Sequence, residues 1–194
     1  MDLAALRRRR RGSAMRALAA ELGTALRTRP RPPADMHELC RALCEAMSTL
    51  RGGRPVELRF ERFPDEIEVT GLWVEFEDFD LVIVEERAEA VQQLVILGHE
   101  LWHMYAGHGH QHVVGAAAAH ALADRSGRQG TALVVAARNG SRRREEAEAD
   151  EFGHRLAALL RPLAGGDRGG SHDIGSLDPV QRSMGYRGRR GAQR

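Results

Sequence analysis

The sequence predicts an α+β fold, with helices packed on a small, roughly three-stranded antiparallel sheet. Residues 56–85 alternate apolar and polar side chains between turn residues, the period of half-buried strands. Residues 89–106 and 142–160 instead repeat apolar side chains at i, i+3, i+4 and i+7, the period of amphipathic helices. At 194 residues the chain is long enough for one ordinary domain plus tails.

The elements follow in order. Residues 2–28 read as one or two helices, with Leu3, Leu6, Leu18, Leu22 and Leu26 at helical spacings. The run Arg29-Pro30-Arg31-Pro32-Pro33 ends them, because proline donates no backbone hydrogen bond and keeps its predecessor out of helical geometry. A second helix is expected from Asp35, as N-cap, to about Thr49, followed by a turn at Arg51-Gly52-Gly53. Val56, Leu58 and Phe60 then point to one face, and Glu57, Arg59 and Glu61 to the other. Two further strands, Glu66 to Glu77 and Asp80 to Glu85, joined through a turn at Glu77-Asp78-Phe79, would complete a meander. The helix over 89–106 is expected to bury Val91, Leu94, Val95, Gly98, Leu101, Trp102 and Tyr105. Residues 107–141 hold a His-rich turn, an Ala-rich segment at 115–123 with helical character, and Gly- and Arg-bearing loops. The helix over 142–160 sets Phe152, Leu156, Leu159 and Leu160 on one face, with Pro162 just past its end. From Gly165 onward Gly, Ser, Asp and Arg dominate, a composition that predicts disorder. The expected division is an Arg-rich helical extension at 1–34, a domain at 35–164 and a tail at 165–194.

Charge is distributed unevenly. All 29 basic residues are arginine, and the formal net charge is +2. Residues 1–34 carry nine Arg against Asp2 and Glu21, and residues 166–194 carry six Arg against three Asp. The middle carries 14 Arg against 22 acids, so an acidic core lies between basic ends, unlike a uniformly basic nucleic-acid binder. The Arg7–Arg11 block could touch nucleic acid or an acidic partner, but no aromatic residue interleaves with it for stacking, and a solvated arm is the plainer reading. No apolar run reaches the roughly 18–20 residues of a membrane span. The stretch Ser13–Leu26 is interrupted by Arg16 and Glu21, unlike a signal peptide. Cys40 and Cys44, four apart on a helix, suit buried thiols better than a disulfide. Together these features lead us to expect a cytoplasmic protein.

The chemistry-bearing pattern is His99-Glu100-Leu101-Trp102-His103. Histidines four apart on a helix project from one face, one turn above the other, so both can reach one metal ion. Glu100 is rotated about 100° from His99, off the metal but within reach of a metal-bound water, as a general base requires. A third ligand is expected from Glu145-Glu146-Ala147-Glu148-Ala149-Asp150. Glu146 and Asp150 share a face; Glu146 would bind the metal and Asp150 would accept from the outer nitrogen of a ligand histidine. Glu145 and Glu148 compete for the ligand role.

These residues resemble the ImmA/IrrE family of zinc metallopeptidase-like proteins, particularly its small stand-alone actinobacterial members labelled toxin or regulator components. The resemblance rests on His99-Glu100-x-x-His103, on Glu146-x-x-Ala149-Asp150-x-Phe152 running to Leu159-Leu160-x-Pro162, and on Gly71-Leu72-Trp73; it covers residues 35–162. It implies zinc held by His99, His103 and Glu146, Glu100 as general base, and a minimal thermolysin-like (zincin) core with the metal between two helices. It also implies site-specific cleavage of a repressor or antitoxin, a helix-turn-helix regulator encoded nearby being the expected partner. Gly153 departs from the family's usual alanine as a small-for-small change, and the 42 residues between His103 and Glu146 form a longer connection than usual. No helix-turn-helix unit is evident in the chain.

Other residues offer choices. Gly71–Phe76 is a candidate edge strand for an extended substrate peptide, although Trp73 and Val74 equally suit a core. Tyr105 and His154 could polarise a scissile carbonyl or be structural. His108, His110 and His112 could form a second metal site or an exposed loop. Two other functions compete with a peptidase: a catalytically silent, metal-stabilised module or toxin component that binds a helix-turn-helix regulator, and a nucleic-acid regulator acting through the arginine arms.

Overall fold

Four helices and a three-stranded mixed sheet make up the described residues of the computed structural model, which are 3–63, 70–108 and 142–164. In chain order they are α1 (Leu3–Arg27), α2 (Met36–Leu50), β1 (Val56–Glu61), β2 (Gly71–Glu75), β3 (Asp80–Glu85), α3 (Ala90–Ala106) and α4 (Arg142–Ala164). The fold is α+β. The Ala-rich segment 115–123, His110, His112, the residues from 165 onward and most of the strand start expected at Glu66 lie outside the described residues.

The sheet corrects the expected antiparallel meander. Its order is β1-β3-β2; β2 and β3 form an antiparallel hairpin, whereas β1 runs parallel to β3, from Val56 beside Asp80 to Glu61 beside Glu85. The reason lies in β3, whose Leu81-Val82-Ile83-Val84 is apolar on both faces and buried throughout. A strand with no polar face belongs in the middle of a sheet covered on both sides. Val82 and Val84 join Trp73 in the main core beneath the helices, while Leu81 and Ile83 join Leu72, Phe63, Phe76 and Phe79 on the opposite face.

A buried acid organises the hairpin. The Phe76 N–H donates to the Phe79 carbonyl at 2.9 Å, and the two rings stack with centroids 4.6 Å apart. Arg54 donates to the carbonyls of Phe76 and of Glu77 (2.9 Å) and, through Nε, to Asp80 at 2.9 Å. Asp80 is fully buried and also accepts from the Trp73 indole at 2.9 Å, with Arg51 at 3.2 Å. Arg51 reaches onward to the Met104 carbonyl at 3.0 Å and so ties the hairpin to the last turn of α3.

The helices cover one sheet face. Asp35 caps α2 by accepting from the Glu38 N–H at 2.8 Å. Met15, Leu18, Leu22 and Leu26 of α1 are buried in the same cluster as Leu39, Leu43 and Met47 of α2, so the helix of the 1–34 segment shares a core with α2. Helix α4 runs through Pro162 to Ala164, beyond the expected end. Pro162 stands in the last turn, with only Leu163 and Ala164 beyond it. Cys40 and Cys44 are free and buried, and burial pushes the Cys40 thiol up to about 12 and the Cys44 thiol up as well. Among the described residues no helix is long and apolar enough to cross a membrane.

Candidate metal centre

Helix α4 crosses the His99–His103 face of α3 at backbone contact. A Cβ on Gly98 would stand 2.9 Å from the Gly153 Cα, and one on Gly153 would stand 2.4 Å from the Val95 carbonyl oxygen and 3.2 Å from the His99 nitrogen. Alanine at 153 is therefore not a small-for-small exchange in this chain: the helices sit closer than its methyl group allows.

That approach brings three ligand atoms together. His99 Nε2 and His103 Nε2 are 3.0 Å apart, and Glu146 Oε2 lies 3.4 Å from the first and 3.8 Å from the second. Atoms held about 2.0–2.2 Å from one tetrahedral ion are separated by about 3.3 Å, so the three fit around a single metal. His99, His103 and Glu146 are accordingly a group that could hold a metal ion. The His103 side chain is 1% exposed, that of His99 19% and that of Glu146 37%, so the group opens on the Glu146 side. Glu148 is engaged elsewhere, by Arg144 at 3.1 Å and by Arg11 of α1. Glu145 is not part of the group.

The surroundings orient and charge these residues. His99 Nδ1 lies 2.8 Å from Asp150 Oδ1, the geometry that holds a proton on the outer nitrogen and leaves Nε2 free as a ligand. Burial pushes the His99 imidazole down, but Glu146, Glu100 and Asp150 together outweigh it, and the net shift is upward. Glu100 is buried between α3 and β2. Burial, reinforced by the charge of Glu146, raises its carboxyl to about 7, against the opposing pull of His99 and of a hydrogen bond from the Trp73 backbone N–H. Glycine at 71 makes room for it: a Cβ there would stand 2.8 Å from Glu100 Oε1 and 2.5 Å from Ile96.

No protein-family model, curated protein or solved structure matches the chain.

The side chains of Trp73, Tyr105 and His154 do not belong to the metal group. The Trp73 side chain is buried with its indole on Asp80, and only its backbone N–H faces Glu100. Tyr105 is exposed, its ring centroid 5.9 Å from that of Trp102. His154 is exposed one turn beyond Asp150 and is not a member of the metal group. The sequence reading missed His108 as a neighbour of the centre: its Nδ1 lies 3.2 Å from His103 Nδ1. The available signal was Gly107, which ends α3 in left-handed backbone and folds the chain back. Of the arginine block, Arg9 and Arg10 are exposed and Arg11 pairs with Glu148.

Proposed function

We propose that the chain is a zinc-dependent metallopeptidase-like regulator that hydrolyses a peptide bond in a repressor- or antitoxin-type protein. The observation that carries this reading is the convergence of His99 Nε2, His103 Nε2 and Glu146 Oε2 to within 3.0–3.8 Å beside the buried Glu100. Among the described residues the group is two histidines and one glutamate, the ligand set of catalytic zinc sites that keep a fourth position for water. Zinc held there would act as a Lewis acid and bring the pKa of water to about 7.

The chain's own residues do the rest. Asp150 keeps the His99 proton on Nδ1, so that Nε2 stays a ligand. Glu100, buried beside the three ligands, takes a proton from water at a carboxylate oxygen and returns it to the departing amine nitrogen. The Trp73 N–H, which donates to the Glu100 carboxylate, holds the group in place before the first transfer and after the second. Among the described residues strand β2 is an edge of the sheet, and it borders Glu100 at Gly71, which favours it as the strand an extended peptide would join. The repressor or antitoxin substrate follows from the resemblance to the ImmA/IrrE family, as does the zincin core.

The test uses the full chain. The purified protein should hold about one zinc per chain, and co-expression with a helix-turn-helix regulator encoded nearby should yield a cleaved regulator. Glu100→Gln should keep the zinc and lower cleavage by about 10²-fold or more. Undiminished cleavage by Glu100→Gln would remove the catalytic reading and leave a metal-stabilised binding module in its place.

A further inference from the structure

The centre extends beyond the residues of the two helices. Gly107 takes left-handed backbone at φ 68°, and the His108 N–H then donates to the His103 carbonyl at 3.0 Å. This fold-back seats the His108 ring edge-on against the His103 ring, with centroids 5.2 Å apart and planes at 68°. Their Nδ1 atoms are 3.2 Å apart. His103 directs its Nε2 toward His99 and Glu146, so His108 meets the opposite side of the ring.

We propose that His108 is a positioning residue that sets the tautomer and orientation of His103 for metal binding. The inference rests on the reading of His99, His103 and Glu146 as a metal centre and adds a partner to it. A neutral imidazole that ligates through Nε2 carries its proton on Nδ1, and that N–H needs an acceptor where the side chain is 1% exposed. The His108 Nδ1 lone pair is that acceptor, which places the His108 proton on its own Nε2. Each ligand histidine then has an outer partner: a carboxylate, Asp150, on the open side of the centre, and an uncharged ring, His108, on the closed side. Because α3 is capped through the backbone N–H of residue 108, a different side chain there leaves the cap in place.

The experiment compares wild type, His108→Phe and His108→Asn as full chains. Phenylalanine keeps a ring but accepts no hydrogen bond, while the asparagine oxygen takes nearly the position of Nδ1. Zinc affinity is read by competition with a chelator, and the His103 tautomer by long-range ¹H–¹⁵N correlation in the zinc-loaded protein. The expected result is a loss of about 10–100-fold in affinity for His108→Phe, with an altered His103 Nδ1 signal, and recovery of both by His108→Asn. Should the phenylalanine variant not fold, His108→Ala against His108→Asn makes the same comparison. Equal zinc affinity and an unchanged His103 signal in the variants that cannot accept would overturn the inference. Failure of the wild type to bind zinc would overturn the centre itself, so the two outcomes are distinct.

Discussion

Gly153 lies against the backbone of Val95 so closely that a Cβ on it would stand 2.4 Å from the Val95 carbonyl oxygen. Glu146, Asp150 and Gly153 fall on one face of α4 at i, i+4 and i+7, so this contact sets how near the two acids come to the histidines. Gly153→Ala should lower stability by about 1–3 kcal/mol, because the methyl group meets backbone rather than a flexible side chain. It should also weaken zinc binding, as α4 shifts away from α3. Urea denaturation and chelator competition measure the two effects, and unchanged zinc affinity would show that the helix approach does not position the ligands.

The carboxylates of α4 should separate into three behaviours. Glu146→Gln should cost more zinc affinity than loss of an outer partner does, that is, more than about 10–100-fold. Asp150→Asn should fall within that range, since it changes the partner of His99 Nδ1 and no ligand atom. Glu148→Gln should leave zinc affinity near wild type, because its carboxylate is already held by Arg144 and Arg11. A zinc titration of the three variants checks the order; a Glu148 variant weaker than the Glu146 variant would reverse the ligand assignment.

Asp80 should matter to stability far more than its distance from the histidines suggests. It is fully buried and accepts from Arg54 and the Trp73 indole, each at 2.9 Å, with Arg51 at 3.2 Å. Asp80→Ala leaves these donors without their acceptor and should cost about 3–5 kcal/mol. Chemical denaturation reads the loss, and a cost below 1 kcal/mol (about the worth of an exposed ion pair) would mean that the network is solvated in solution.

Legibility in the sequence followed the range of each physical signal. The four-residue spacing of His99 and His103 is a property of one helix, so their shared face could be read directly, as could Asp35 as the N-cap of α2. The side-chain alternation of the strands decides which face a residue takes but not which strand lies beside it. The parallel pairing of β1 with β3 was therefore hidden, although the unbroken apolar run Leu81–Val84 marked the central strand. The place of His108 depends on the direction the chain takes after Gly107, and the intolerance of a methyl group at 153 depends on how closely two helices approach. The first is a local turn that Gly107 signals, and the second is a tertiary distance that no local spacing encodes.

Acid should weaken the fold through Glu85. Its carboxylate accepts from Arg87 Nε, Nη2 and backbone N–H, each at 2.9 Å, and from the Phe63 N–H at 3.2 Å. The Arg87 hydrogen bonds are the largest influence and outweigh burial, so the carboxyl is held at about 2 in the folded chain against the usual 4.5. Between those values the unfolded chain takes up the proton and the folded chain does not, so stability falls as pH falls. The contribution is complete above 4.5 and is lost as pH descends through about 2. Glu85→Gln, which cannot titrate, should be less stable than wild type at neutral pH, with the gap closing toward about pH 2. Denaturation midpoints of both proteins across that range make the measurement, and the difference removes what the other acids contribute to each. A gap that stays constant from neutral pH to about pH 2 would show that Glu85 titrates at the same pH folded and unfolded, and that Arg87 does not hold its charge.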